Sequence, residues 1–190
     1  MEATQVVESL LVAVGLAAAT GLRIFVPALV AAIAARAGVL PLSEGFQWLS
    51  STPALVALGV ATAIELGAYS IPWIDHALDV VATPVAIVAG FLLSAAVLVD
   101  LDPMLRWSLA AIVGGGAAAM VQIPTTLARG VSTWTTGGVA NPAVSATEAA
   151  GSTALSVLSV LIPFVVVLGL AGLCSWWFLR RGRAWRRPAN

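Results

Sequence analysis

The stretch TPALVALGVATAIELGAYSIP, residues 52–72, holds a single carboxylate in twenty-one residues. It opens on Thr52-Pro53, closes on Pro72, and is apolar and helix-forming in between. Apolar runs of about 20 residues cross a bilayer as helices. Glu65 falls twelve residues after Pro53, well inside what would then be hydrocarbon. An ionised carboxylate at that depth is costly, so the acid is either protonated or paired inside a bundle.

The whole chain has the same character. Of its 190 residues 60% are hydrophobic and 9% charged, with a mean hydropathy of +1.01; soluble domains carry about 25% charged residues. Nine acids and nine bases cannot keep the surface of so large a water-soluble domain wet. The reading is one all-α integral membrane domain over residues 1–190: a short tail (1–9), a helix bundle (10–179) and a basic tail (180–190). A formal net charge of zero excludes the electrostatic footprint of a nucleic-acid binder. The lone Cys174 permits neither an internal disulfide nor a multi-cysteine metal site, and in the run GLAGLCSWWF it reads as a small buried hydrophobe. The opening MEATQVVESLL lacks the basic residues of a cleaved secretory signal.

Working outward from residues 52–72, the other candidate spans are 10–35, 82–99, 107–127 and the long apolar run 142–179, which Pro163 either kinks or divides. The count is five or six. Gly21, Arg23 and Pro27 interrupt the first; Gly114, Gly115, Gly116 and Pro124 break the fourth. Tryptophans 48, 73, 107, 134, 176 and 177 sit at span ends, where the indole ring prefers the headgroup level. Ser51-Thr52-Pro53 and Asn141-Pro142 read as capped helix starts, and Ser145 with Glu148 has capping-box spacing. Five arginines in RRGRAWRR, after the last span, place the C-terminus in the cytoplasm. The N-terminus then lies outside for five spans and inside for six.

The two halves show parallels. Residues 22–38 and 118–130 each carry a mid-span polar residue, a proline, then Ala-Arg or Ala-Arg-Ala before glycine. Residues 52–72 and 141–163 each have a proline start, one glutamate and a proline finish. These suggest a 3+3 inverted repeat with broken helices, an architecture that exposes backbone groups to ions and substrates, although alanine-rich helices also match by chance.

Arg23 lies as deep in the first span as Glu65 does in the second, and depth alone makes them a pair. Either they lock helices together or they mark a binding site. The block from Glu65 to Asp79, ELGAYSIPWIDHALD, adds Tyr69, Asp75, His76 and Asp79. Pro72 is expected to end the second span, with a turn over Trp73 to Asp75 and a new helix beyond. Asp75 could cap that helix and Asp79 sit in its first turn; alternatively Asp75, His76 and Asp79 could hold a divalent cation or relay protons. Gln122 is the third deep polar residue, ordinarily a helix-to-helix hydrogen bond. The polar segment 129–141 reads as a loop that covers a cavity or merely connects.

Three blocks, GLRIFVPALVAAIAARAG (21–38), ELGAYSIPWIDHALD (65–79) and NPAVSATE (141–148), make the chain resemble the bacterial integral-membrane family called domain of unknown function 4126. The resemblance implies a compact helical domain of the inner membrane whose shared residues include Gly21, Arg23, Pro27, Glu65, Pro72, Asp75, Asp79, Asn141, Pro142, Ser145 and Glu148. The family pattern has Asp-Lys where this chain has Tyr69-Ser70, which argues against a mechanism needing charge there. The expected function is a small transporter or lipid-headgroup translocase for an anionic substrate. Arg23, Glu65, Tyr69, Gln122, Asn141 and Glu148 would bind it, Glu65 would carry a proton, and Asp75, His76 and Asp79 would line one mouth. The partners compatible with this are membrane lipid, a small anion or headgroup, and a second copy of the chain. The alternatives are an intramembrane enzyme on a lipid phosphate, with Asp75, Asp79 and Glu148 around a divalent cation, or a structural subunit. The absence of a phosphate loop, a nucleophile motif or HExxH leans away from an enzyme.

Overall fold

A computed structural model describes residues 3–68 and 72–185, without the side chains of residues 3, 72–80, 177–178 and 181–185. The chain is all-helical, with no strand among the described residues. In order come α1 (Ala3–Thr20), α2 (Phe25–Arg36), a single 3₁₀ turn (Gln47–Ser50), α3 (Thr52–Ala68), α4 (Pro72–Val97), α5 (Pro103–Leu109), a π-helical turn (Ala110–Gly115), α6 (Gly116–Thr136), α7 (Asn141–Leu161) and α8 (Pro163–Trp185). From α5 through α6 the helix is unbroken, a 34-residue rod Pro103–Thr136. That rod and α7 are long and apolar enough to cross a membrane.

The first expected span, 10–35, is two helices. Pro27 has no amide to offer the Arg23 carbonyl, which favours a break here; the proline sits in the first turn of α2, where its missing donor is not needed. The end of α1 closes on itself, with the amides of Leu22 and Arg23 both bonding Ala19 O at 3.0 and 3.1 Å. α2 then doubles back. Residues 39–44 beyond it line one cavity together with Gln5 and Glu8 at the start of α1, so the pair is a hairpin with Arg23 at its tip.

Elsewhere the breaks are milder than expected. Pro124 lies inside α6 without ending it, and the Thr125 hydroxyl beside it shares its proton between Gln122 O at 2.8 Å and Val121 O at 3.2 Å. The triple glycine ends a π-helical turn instead of a span. There α4 and the rod cross so closely that a Cβ on Gly90 would stand 2.7 Å from Ala118 Cβ and 3.0 Å from Gly114 O. The 129–141 segment is mostly helix; α6 stops at Gly137, whose φ of 63° is the left-handed geometry of a helix terminus. α4 is already helical at Pro72, so Asp75 sits within a helix and does not cap one. Pro163 does divide the last apolar run, with Ile162 out of helical geometry.

The capping expectations split. Ser51 Oγ accepts from Ala54 N at 3.3 Å, as the sequence indicates. Asn141 does not cap α7; its Nδ2 donates to Thr133 Oγ1 at 3.0 Å. Nor do Ser145 and Glu148 form a capping box, because both turn toward Arg23.

α1 is the central element, packed against α2, α4, α6, α7 and α8. Alanine supplies thirteen of the twenty-two buried apolar residues among those described, and α7 contributes the buried serines 145, 152, 156 and 159 along one stripe. Small side chains let backbones approach: Ser152 Oγ donates to Ala19 O of α1 at 3.0 Å. The larger apolar residues face out, as with the i, i+4 stripe Val56, Val60 and Ile64 on α3 and with Trp134 at 92% exposure. Small inside and large outside reverses the layout of a water-soluble bundle and suits helices that pack in lipid. α8 packs through its start, with Val166 buried, and every described side chain from Ala171 on is exposed. Cys174 is among these, so the expectation that it is buried is corrected.

The proposed repeat fares unevenly. Residues 22–38 form a turn and a short helix, whereas 118–130 lie within a continuous rod. Arg36 is bonded near the surface to Thr52 Oγ1 at 2.9 Å, while its counterpart Arg129 is buried. Residues 52–68 and 141–161 are each a single helix with one buried glutamate.

Candidate functional site

Among the described residues four charged side chains meet at the hairpin tip. Arg23 enters from the α1–α2 turn, Glu65 from α3, Arg129 from α6 and Glu148 from α7. All four are buried, Arg23 to 1% exposure, and with Leu22, Ile24, Ala82, Gln122 and Thr125 they line a cavity of about 10 Å³. That is about the room one water molecule needs.

The geometry is specific. Arg129 grips Glu148 by two bonds: Nε donates to Oε1 at 3.0 Å, and Nη2 donates to Oε2. Arg23 Nη2 approaches the same Oε2 at 3.3 Å and donates to the Ser145 carbonyl at 2.9 Å and hydroxyl at 2.6 Å. Two guanidinium groups therefore converge on one carboxylate, the fork-to-carboxylate recognition that arginine favours. Ser145 and Glu148, three apart on α7, present one face to Arg23.

Glu65 is held differently. Its Oε1 accepts from Ile24 N at 2.7 Å and its Oε2 from Phe25 N at 3.0 Å. These are amides at the start of α2, which lack partners inside the helix and sit at the positive end of its dipole. Depth had paired Glu65 with Arg23. Both line one cavity, but Glu65 bonds the main chain beside Arg23, and Arg23 meets Glu148. The reason lies in the helix break: a broken helix offers amides, and an acid from a neighbouring helix satisfies them.

Of the other expected site residues, Gln122 is buried at the cavity, and its Nε2 donates to Thr126 Oγ1 at 3.1 Å within its own helix. Asn141 binds Thr133 and does not line the cavity. Tyr69, and the side chains of Asp75, His76 and Asp79, lie outside the described residues. Among the described residues no group of three or more His, Cys, Asp or Glu is placed for a metal ion. Glu148, enlisted as a third ligand in the enzyme reading, has both oxygens engaged by arginine, so a cation would have to compete with two fixed positive charges. Arg129 and Thr125 were missed. Arg129 stood just past the assigned end of the fourth span, where arginine is an ordinary flank; the available signal was its seven-residue spacing from Gln122, two turns along one face.

An α-helical bundle of closely packed small residues with a buried Arg–Glu–Arg cluster at a helix break is the class this fold and site define. The profile of the family described as Domain of unknown function (DUF4126) matches residues 10–181, and the chain belongs to that family. No curated protein and no solved structure matches the chain.

Proposed function

We propose that the chain is a multi-pass protein of the bacterial inner membrane that moves a small anionic group, free or on a lipid headgroup, in exchange with its own carboxylates. In this reading α3, α4, the Pro103–Thr136 rod, α7 and α8 make five crossings, with the C-terminus in the cytoplasm. The α1–α2 hairpin enters and returns on the outer side. The correspondence of Glu65 with Glu148 is what supports a repeat.

The observation that carries the proposal is the grip of Arg23 and Arg129 on Glu148. Among the described residues two arginines and two glutamates balance here, in a place where uncompensated charge is costly. An incoming phosphate or carboxylate suits the same two guanidinium forks and displaces the Glu148 side chain. The displaced carboxylate becomes neutral by taking a proton, so the incoming negative charge replaces its own. Glu65 can release the α2 amides to the anion in the same way, since helix N-termini bind anions. The charge balance sets the coupling at one proton per negative charge that enters. The cavity has room for only one water, so loading requires the hairpin tip to move from α6 and α7.

Titration of the protein in lipid nanodiscs with inorganic phosphate and with hexyl phosphate, in buffers of different ionisation enthalpy, tests this. The reading expects binding with proton uptake, lost in Arg23→Gln. Binding without proton uptake, or binding unchanged in Arg23→Gln, contradicts it.

A further inference from the structure

A second and far larger cavity, about 750 Å³, lies at the opposite end of α1. This is within the range of small-ligand pockets. Its walls are the first turns of α1, the linker after α2, the α4–α5 connection and Val160 near the end of α7. The linker is fixed: Ser43 N donates to Ala96 O and Ser43 Oγ to Ala95 O, both at 2.8 Å. The α4–α5 connection is also shaped. Asp100 has a φ of 56°, the only positive value at a non-glycine residue among those described, and Asp102 accepts from Met104 N at 2.9 Å.

Four charged residues line this space: Glu8, Glu44, Asp100 and Arg106. Among the described residues no hydrogen bond or ion pair engages the three carboxylates. Arg106 Nε is shut off from solvent and makes no hydrogen bond there. The three carboxylates against one guanidinium give the pocket an excess of two negative charges. Behind them the wall is apolar, with Val12, Leu40, Val97 and Val160.

We propose that this pocket binds an aminophospholipid headgroup. The ligand's ammonium would donate to the carboxylates, its phosphate would lie at Arg106, and its first acyl segments would lie on the apolar wall. A purely anionic lipid leaves three carboxylates repelling it. A quaternary amine cannot donate the hydrogen bonds they would accept. The inference needs the bundle to sit in lipid, as the proposed function does, but not that the Arg–Glu–Arg cluster transports anything.

The test is a thermal-shift and binding titration of the detergent-purified full chain with dihexanoylphosphatidylethanolamine, against dihexanoylphosphatidylglycerol, dihexanoylphosphatidylcholine and free phosphoethanolamine. The ethanolamine lipid is expected to stabilise the protein. In Glu44→Gln and in Asp100→Gly, which keeps the left-handed backbone, its affinity should fall about tenfold, the scale of one charge-assisted hydrogen bond. Glu44 is exposed and Asp100→Gly relieves its backbone, so both variants should fold. Equal binding of the glycerol or choline lipid, or unchanged affinity in both variants, overturns the proposal. Equal binding of free phosphoethanolamine overturns the lipid assignment. Failure of phosphate binding at the Arg23 cluster with these shifts intact would count against the proposed function alone.

Discussion

Arg23 and Glu148, 125 positions apart in sequence, meet at 3.3 Å because a helix break puts one on a turn while the other faces it from α7. Arg129 completes the contact from a third element. Turn, rod and α7 are tied at one point, so the cluster bears on stability as well as on any ligand.

Glu148→Ala leaves two buried guanidinium groups facing each other without their carboxylate. Loss of one partner of a buried pair costs about 3–5 kcal/mol. The variant should lose that much in denaturant unfolding, read from tryptophan fluorescence in detergent. Replacing Arg129 and Glu148 together with Met and Leu should cost clearly less than Glu148→Ala. Equal losses would show that burial of unpaired charge is not the dominant effect.

Glu65→Leu removes the acceptors of the Ile24 and Phe25 amides. Bonds to a charged group are worth about 1.5–3 kcal/mol each. Hydrogen exchange at the first turn of α2 should therefore accelerate about tenfold or more, while α7 stays protected. Unchanged exchange at residues 24 and 25 would contradict the capping role.

Two glycines give a matched pair of tests. A Cβ on Gly21 would stand 2.5 Å from Ala118 O and 2.8 Å from Val121 Cβ, whereas one on Gly116 meets nothing within 4 Å. Gly21→Ala should destabilise by about 1–3 kcal/mol, the cost of overpacking. Gly116→Ala should be neutral or stabilising by up to about 1 kcal/mol, because alanine suits a helix better. Thermal unfolding of the two variants side by side decides it.

The helical class was legible because composition and apolar runs are summed over many residues. So were the break around Gly21–Pro27 and the division at Pro163, since proline acts through its own ring and missing amide. That the 10–35 stretch folds back as a hairpin was not legible; one helix break does not state the angle of the next helix. Arg23, Glu65 and Gln122, singled out by depth, line one small cavity together with Glu148. Pairing failed, because depth orders residues along one axis and says nothing of which side a neighbouring helix presents. Asn141 was misassigned for a related reason: a cap is a local expectation, and Thr133 on the preceding helix offered a better partner. Arg129 stayed hidden because an arginine at a span end is usually a solvated flank.

Proton flow measured in proteoliposomes tests the central claim most directly. With a pH-sensitive dye inside and a phosphate or hexyl phosphate gradient directed inward, the wild-type protein should acidify the lumen in proportion to anion uptake. The double variant Glu65→Gln with Glu148→Gln, which cannot take up a proton at either position, should lose the acidification and, if it still moves anion, should do so with net charge transfer. Anion uptake at the wild-type rate without proton entry, or proton coupling that persists in the double variant, would contradict the exchange of substrate for carboxylate at this cluster.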